Sequence, residues 1–199
     1  MIREIIFASK NRGKINEVRN IFSDTTLEIT SLVELNDNLV IDENESTFEG
    51  NARKKAKEVF YRFKIPVISD DSGIELEQMN GIPGVFSARY AGENANDEEN
   101  NQKLIKELSN YPEPHPARYV CYAVFFDGKN FIIESGEIKG EIITQERGSS
   151  GFGYDPLFIP FGYNKTMAEL SPSEKNSISH RAQAFNKLKK KIIMIMELI

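Results

Sequence analysis

The chain has one cysteine, two histidines and no long hydrophobic run among its 199 residues. A single cysteine excludes an internal disulfide, and the setting of Cys121 in RYVCYAVFF reads as a buried strand residue rather than a nucleophile. The first apolar stretch is short and has no cleavage pattern behind it, so no signal peptide is expected, and no run approaches the length of a membrane span. A cytoplasmic protein that uses no membrane is the expectation. A basic excess is also missing: 30 acidic residues against 25 basic ones give a net charge of −5 and a pI near 5.3. Nucleic-acid polymers are held by broad basic surfaces, so such a partner is not expected, whereas a small anion needs only a local basic pocket. No linker, repeat or low-complexity segment divides the chain. With 40% apolar residues, one domain spanning residues 1–199 is expected.

Three stretches carry chemistry. The first is ISDDSGIELEQMNGIPGVFSARY, residues 68–90, where Ile68 and the preceding Val67, both β-branched, read as a buried strand. Asp70, Asp71 and Ser72 are expected at its C-terminal edge, where open α/β sheets keep their ligands. Adjacent carboxylates suit metal-assisted phosphate chemistry, although Asp, Ser and Gly also build ordinary solvated turns. The second stretch runs from the strand at Ile5–Ala8 through Ser9, Lys10, Asn11, Arg12, Gly13 and Lys14 into a helix whose apolar stripe is Ile15, Val18, Ile21 and Phe22. A helix N-terminus with three cations beside it can take a phosphate, yet the loop lacks the GxxxxGK[ST] of a P-loop and the GxGxxG of a Rossmann turn. The third comprises RGSSGFGYDPLFIP, residues 147–160, and SPSEKNSISHRAQAF, residues 171–185. Phe152 and Tyr154 are expected as exposed rings on which a planar base could stack. Ser171 with Glu174 forms a capping box with Pro172 at the first helical position, which places Lys175 at the end of a short turn, and His180 and Arg181 open the last helix.

The rest reads as scaffold. Leu27–Thr30 is a weak strand, and Ser46 with Glu49 opens a helix to about Tyr61 on an apolar face of Phe48, Ala52, Ala56, Val59 and Phe60. Asn96 caps an acidic first turn of a helix ending at Leu108, and His115, between prolines, belongs to the following loop. Residues 117–126 and 131–138 are strands joined at Asp127-Gly128, the second continuing to Thr144. A last helix from His180 buries Phe185, Leu188, Ile192 and Ile195.

In order, SKNRGK, TFEGNARKKA, SDDSG, PGVFSARYAG, GFGYDP and SHR resemble the inosine triphosphate pyrophosphatase family over residues 7–185. Ser9-Lys10 stand where many members have Thr-Gly, Gly50 where many have Glu, and Ala182 where many have Gly. The resemblance implies an α/β fold, an elongated mixed sheet flanked by helices in two lobes with a central cleft, and a homodimer. It also implies hydrolysis of non-canonical purine nucleoside triphosphates (ITP, dITP, XTP) to the monophosphate and pyrophosphate with Mg²⁺. Glu43 and Asp71 match its metal positions, and Asp71 its proton acceptor, with Asp70 orienting that neighbour. Lys10, Asn11 and Lys14 would hold phosphates, with Ser9, Arg12 and Gly13 beside them in the substrate site; Ser72 would hydrogen-bond the substrate, Phe152, Gly153, Tyr154 and Asp155 would clasp the nucleoside, and Lys175, His180 and Arg181 would read the base. A related pyrophosphatase of different base preference stays open, as does a nucleotide-binding module without catalysis, although the latter has no use for the acids.

Overall fold

The computed structural model describes residues 4–197. In chain order the elements are β1 (Glu4–Phe7), α1 (Arg12–Phe22), β2 (Glu28–Ser31), α2 (Phe48–Phe63), β3 (Val67–Leu76), α3 (Asp97–Leu108), β4 (His115–Phe126), β5 (Phe131–Ile142), β6 (Phe158–Pro160), α4 (Pro172–Ile178) and α5 (His180–Glu197). The strands form one sheet in the order β2-β1-β3-β4-β5-β6. β1 runs parallel to β2 and β3, whereas β6 is antiparallel to β5, so the sheet is mixed, as the α/β reading expects.

The described chain forms two compact units: residues 4–71, 121–136 and 180–197 make the first, and residues 72–120 and 137–179 the second. The first unit has three layers, and strand alternation explains them. Ile5 and Phe7 of β1 pack with α1 and α5, through Ile15, Val18, Phe185 and Leu188; Ile6 and Ala8 pack on the other side with Ala52, Ala56 and Val59 of α2. A strand buried on both faces has no polar side to show, which is why β1 reads as a continuous apolar run. The second unit has its own core, in which Ile74 and Leu76 meet Leu104 and Leu108 of α3, with Tyr119, Leu157 and Phe158. Among the described residues no helix is long and apolar enough to cross a membrane.

Most helix starts follow the capping signals: Asn96 and Ser171 both form complete capping boxes, with Glu99 and Glu174. Four expectations need correction. The cap of α2 is Thr47, not Ser46; its hydroxyl accepts from the Gly50 amide at 3.0 Å, and Glu49 pairs with Arg53 instead of closing a box. His115 is not loop but the first residue of β4, 2% exposed, with its ring held 2.9 Å from the Gln78 side-chain oxygen. Proline is tolerated at a strand's start, so the flanking prolines do not forbid this. β5 stops at Ile142 rather than continuing to Thr144. Ile195 is 37% exposed, because α5 extends beyond the cluster that buries Phe185, Leu188 and Ile192.

Candidate active site

The two aspartates do not end β3; the strand runs on to Leu76, so both are buried mid-strand, Asp70 at 1% and Asp71 at 5% exposure. The strand continues because Ile74 and Leu76 have a second core to enter. Neighbours on a strand point to opposite faces. Ile68 packs with the α1/α5 cluster and Val67 with the α2 cluster, and the same alternation carries Asp70 to α1 and α5, and Asp71 to α2. What looks like a carboxylate pair in the sequence is two sites, one on each side of the sheet.

On the first side, Asp70 Oδ2 lies 3.1 Å from Lys14 Nζ and 3.3 Å from Arg181 Nε, while Arg181 Nη1 reaches Glu17 Oε2 at 2.6 Å. Burial alone would raise the Asp70 pKa, but the charges of Lys14, Arg181 and Lys55 hold it well below the usual carboxylate range. Arg181 is 2% exposed; burial works against its charge, and Glu17 and Asp70 outweigh that. Cys121, whose Sγ is 3.9 Å from Asp70 Oδ2, has its thiol pushed up by burial and by that carboxylate, which fits the inert strand residue the sequence suggests.

On the second side, Asp71 Oδ2 accepts from Asn51 Nδ2 at 2.9 Å, and Asp71 Oδ1 lies 3.7 Å from Lys55 Nζ. The same ammonium is 3.1 Å from Glu43 Oε1, so the two carboxylates converge on one cationic point. The Asp71 pKa is raised, first by burial and then by Glu43, against the opposing charges of Lys55 and Lys14. Lys55 keeps its proton: burial lowers its pKa, but Asp71, Glu43 and Asp70 together raise it further. Asn51 and Lys55 lie within the TFEGNARKKA stretch, but the sequence reading gives neither a role. The available signal was a polar pair four residues apart on the stripe of α2 that also carries Phe48, Ala52 and Val59. Glu17, which partners Arg181, was likewise missed.

The N-terminal loop supplies cations ahead of α1. Asn11 caps the helix through the Lys14 amide at 3.1 Å, Ser9 Oγ accepts from the Asn11 amide at 3.2 Å, and Lys10 Nζ donates to the Leu39 carbonyl at 3.0 Å. Arg12 and Gly13 open the first turn. His180 is the first residue of α5 and is 5% exposed, so neither it nor Arg181 is an ordinary surface side chain.

The second unit holds the residues expected to clasp a nucleoside. Ser72 follows Asp71 along β3 and is half-buried. Asp155 Oδ2 accepts from Lys175 Nζ at 2.6 Å and from the Phe152 amide at 2.9 Å, and the Lys175 ammonium sits 4.7 Å from the Phe152 ring centre. Gly151 has φ of 82°, and a Cβ there would meet Asp155 Oδ2 at 2.1 Å, so this loop conformation requires glycine. Gly153 is held at both ends from α3, its amide by Asp97 at 2.7 Å and its carbonyl by Asn101 at 3.2 Å. Tyr154 corrects the expectation of two exposed rings. It is 3% exposed and donates its hydroxyl to the Ser87 carbonyl at 2.8 Å, because the ring completes the apolar core of this unit. Phe152 is the ring left at the loop's half-buried edge.

Among the described residues, no three histidine, cysteine, aspartate or glutamate side chains are grouped to hold a metal ion. Glu43 and Asp71 offer two hard carboxylates, which fits an ion such as Mg²⁺ that takes one or two carboxylates and fills its remaining positions with water and substrate oxygens.

A profile of the Ham1 family matches residues 5–191. A dITP/XTP pyrophosphatase of Clostridium tetani is 40% identical, over 98% of this chain and 99% of its own length. That of Oceanobacillus iheyensis is 43% identical, over 95% and 98%. Among solved structures, the Ham1 protein of Staphylococcus aureus superposes with a TM-score of 0.84 at 40% identity, covering 96% of this chain and 98% of that one. A Ham1 protein from Coxiella burnetii gives 0.87 at 36% identity, covering 96% and 99%.

Proposed function

We propose, from the premise that this chain belongs to the Ham1 family, that it is a nucleoside triphosphate pyrophosphatase which converts ITP, dITP and XTP to the monophosphate and pyrophosphate. The observation that carries this reading is the convergence of Glu43 and Asp71 on Lys55, on the opposite side of the sheet from Asp70. A triphosphate repels an attacking water until its charge is neutralised, and that repulsion is the main barrier to lower. Lys10 and Lys14, with the amides of the Asn11-capped helix, are suited to hold phosphate oxygens. Mg²⁺ held by Glu43 and Asp71 would neutralise phosphate charge and acidify water. Asp71, as the carboxylate beside that metal position, takes the proton from the water that attacks the α-phosphorus. Asp70 is already committed to Lys14 and Arg181; in this reading it fixes those cations rather than sharing the proton.

The 199 residues act as one catalytic domain in this reading, as a cytoplasmic homodimer. Removing divalent metal with excess EDTA is expected to abolish pyrophosphate release from ITP, and added Mg²⁺ to restore it. Turnover that persists in the chelator would rule the metal mechanism out.

The residues of the second unit take the nucleoside. Phe152 offers the stacking face, Ser72 a hydroxyl and Lys175 a base-reading donor, whereas Arg181 is engaged by Glu17 and Asp70 within the first unit. Hypoxanthine and xanthine present an oxygen at C6 where adenine presents an amine, and Lys175 can only donate. Guanine shares the 6-oxo group, so its rejection must act at C2. Lys175→Met keeps the aliphatic stem and removes the charge. It is expected to narrow the ITP-to-ATP ratio of kcat/KM by at least about tenfold, the worth of one charged hydrogen bond. Equal losses on both nucleotides would move base reading elsewhere.

A further inference from the structure

Asn51 is fully buried, at 0% exposure, and both ends of its side-chain amide are used. Its Nδ2 donates to Asp71 Oδ2 at 2.9 Å, and its Oδ1 accepts from the backbone amide of Glu45 at 3.0 Å. The orientation is not interchangeable, because a backbone N–H can only donate and a carboxylate can only accept. One amide therefore ties the Asp71 carboxylate to the loop that carries Glu43, two residues before Glu45. The residue beside it allows that loop to come close: a Cβ on Gly50 would meet Glu45 Cβ at 2.9 Å and the capping Thr47 Oγ1 at 3.0 Å.

We propose that Asn51 is the positioning residue of the metal-binding pair, holding Asp71 and the Glu43 loop so that both carboxylates face one cation. The inference rests on the reading of Glu43 and Asp71 as metal ligands. With Asp71 Oδ2 engaged by Asn51, Oδ1 is the oxygen turned toward Lys55 and toward Glu43's end of the site. Partners that orient metal ligands typically cost about 10- to 100-fold in metal affinity when removed.

The test uses Mn²⁺ as the probe, its binding to the full chain followed by electron paramagnetic resonance without nucleotide, well below the melting temperature. Asn51→Ala is expected to weaken Mn²⁺ binding about 10- to 100-fold. Turnover should recover toward the parent kcat as Mn²⁺ is raised, with the KM for ITP unchanged at saturating metal. A purely structural role would lower the melting temperature without this split. Gly50→Ala leaves Asn51 and Asp71 intact but displaces the loop, and is expected to weaken Mn²⁺ in the same direction by a smaller factor. Parent-like affinity in folded Asn51→Ala would overturn the proposal; should that variant not fold, parent-like affinity in Gly50→Ala would overturn it. Glu43→Gln separates the two levels: if it binds Mn²⁺ as the parent does, the metal reading itself fails.

Discussion

Asp71→Asn is expected to fold as the parent chain does and to lose about two to four orders of magnitude in kcat with ITP, the usual cost of removing a general base. The amide has the same shape as the carboxylate, so the strand and its neighbours have no steric reason to move. It cannot take a proton, and it replaces one of the two carboxylates that converge on Lys55. The companion variant makes the result diagnostic. Asp70→Asn, one residue earlier, faces α1 and α5 through Lys14 and Arg181, so its principal effect is expected in the melting temperature. Steady-state kinetics and thermal melts on both variants check this. Near-parent kcat in Asp71→Asn, or the same profile for both variants, would contradict the assignment of separate roles to the two faces of the sheet.

Arg181→Leu carries the second large effect, and it is one of stability. The guanidinium is 2% exposed and bonds both Glu17 and Asp70. Removing one partner of a buried ion set leaves charge without compensation and typically costs about 3–5 kcal/mol. Here the lower end is expected, because Lys14 still neutralises Asp70 and Glu17 lies nearer to solvent, at 12% side-chain exposure. For a chain of this size about 1 kcal/mol corresponds to roughly 2–4 °C, so the melting temperature should fall by roughly 6–12 °C. The pH dependence follows from the depressed pKa of Asp70. Its contribution is fully present above the ordinary aspartate pKa and is lost as pH falls through the lower folded value. The parent should therefore hold its Asp70 contribution further into acid than the variant does. A melting temperature within about 2 °C of the parent would show that the ion set adds little.

The six ordered motifs led to the right family because their order along the chain is specific, and the α/β sheet was legible in the alternation of strand and helix patterns. Asn96-Glu99 and Ser171-Glu174 are legible because a cap depends on residues three apart. What escaped was long-range. Ile74 and Leu76 extend β3 past the aspartates only because a second core awaits them, and the sequence read the acids as a strand's end. The burial of Tyr154 depends on the Ser87 carbonyl, 67 residues away. Asn51 and Lys55 look like ordinary helix residues until α2 is laid against β3, where they meet Asp71. The alternation rule itself could have separated Asp70 from Asp71, had the strand been carried two residues further.

Water is expected to attack the α-phosphorus of a 6-oxo purine triphosphate. The most direct test is single-turnover hydrolysis of ITP in water enriched in heavy oxygen, alongside product release from XTP, dITP, GTP, ATP and dUTP. The label is expected in IMP, with equal amounts of unlabelled pyrophosphate and faster turnover of ITP, dITP and XTP than of the other three. Label in pyrophosphate, release of inorganic phosphate as the first product, or equal rates for ITP and ATP would contradict it.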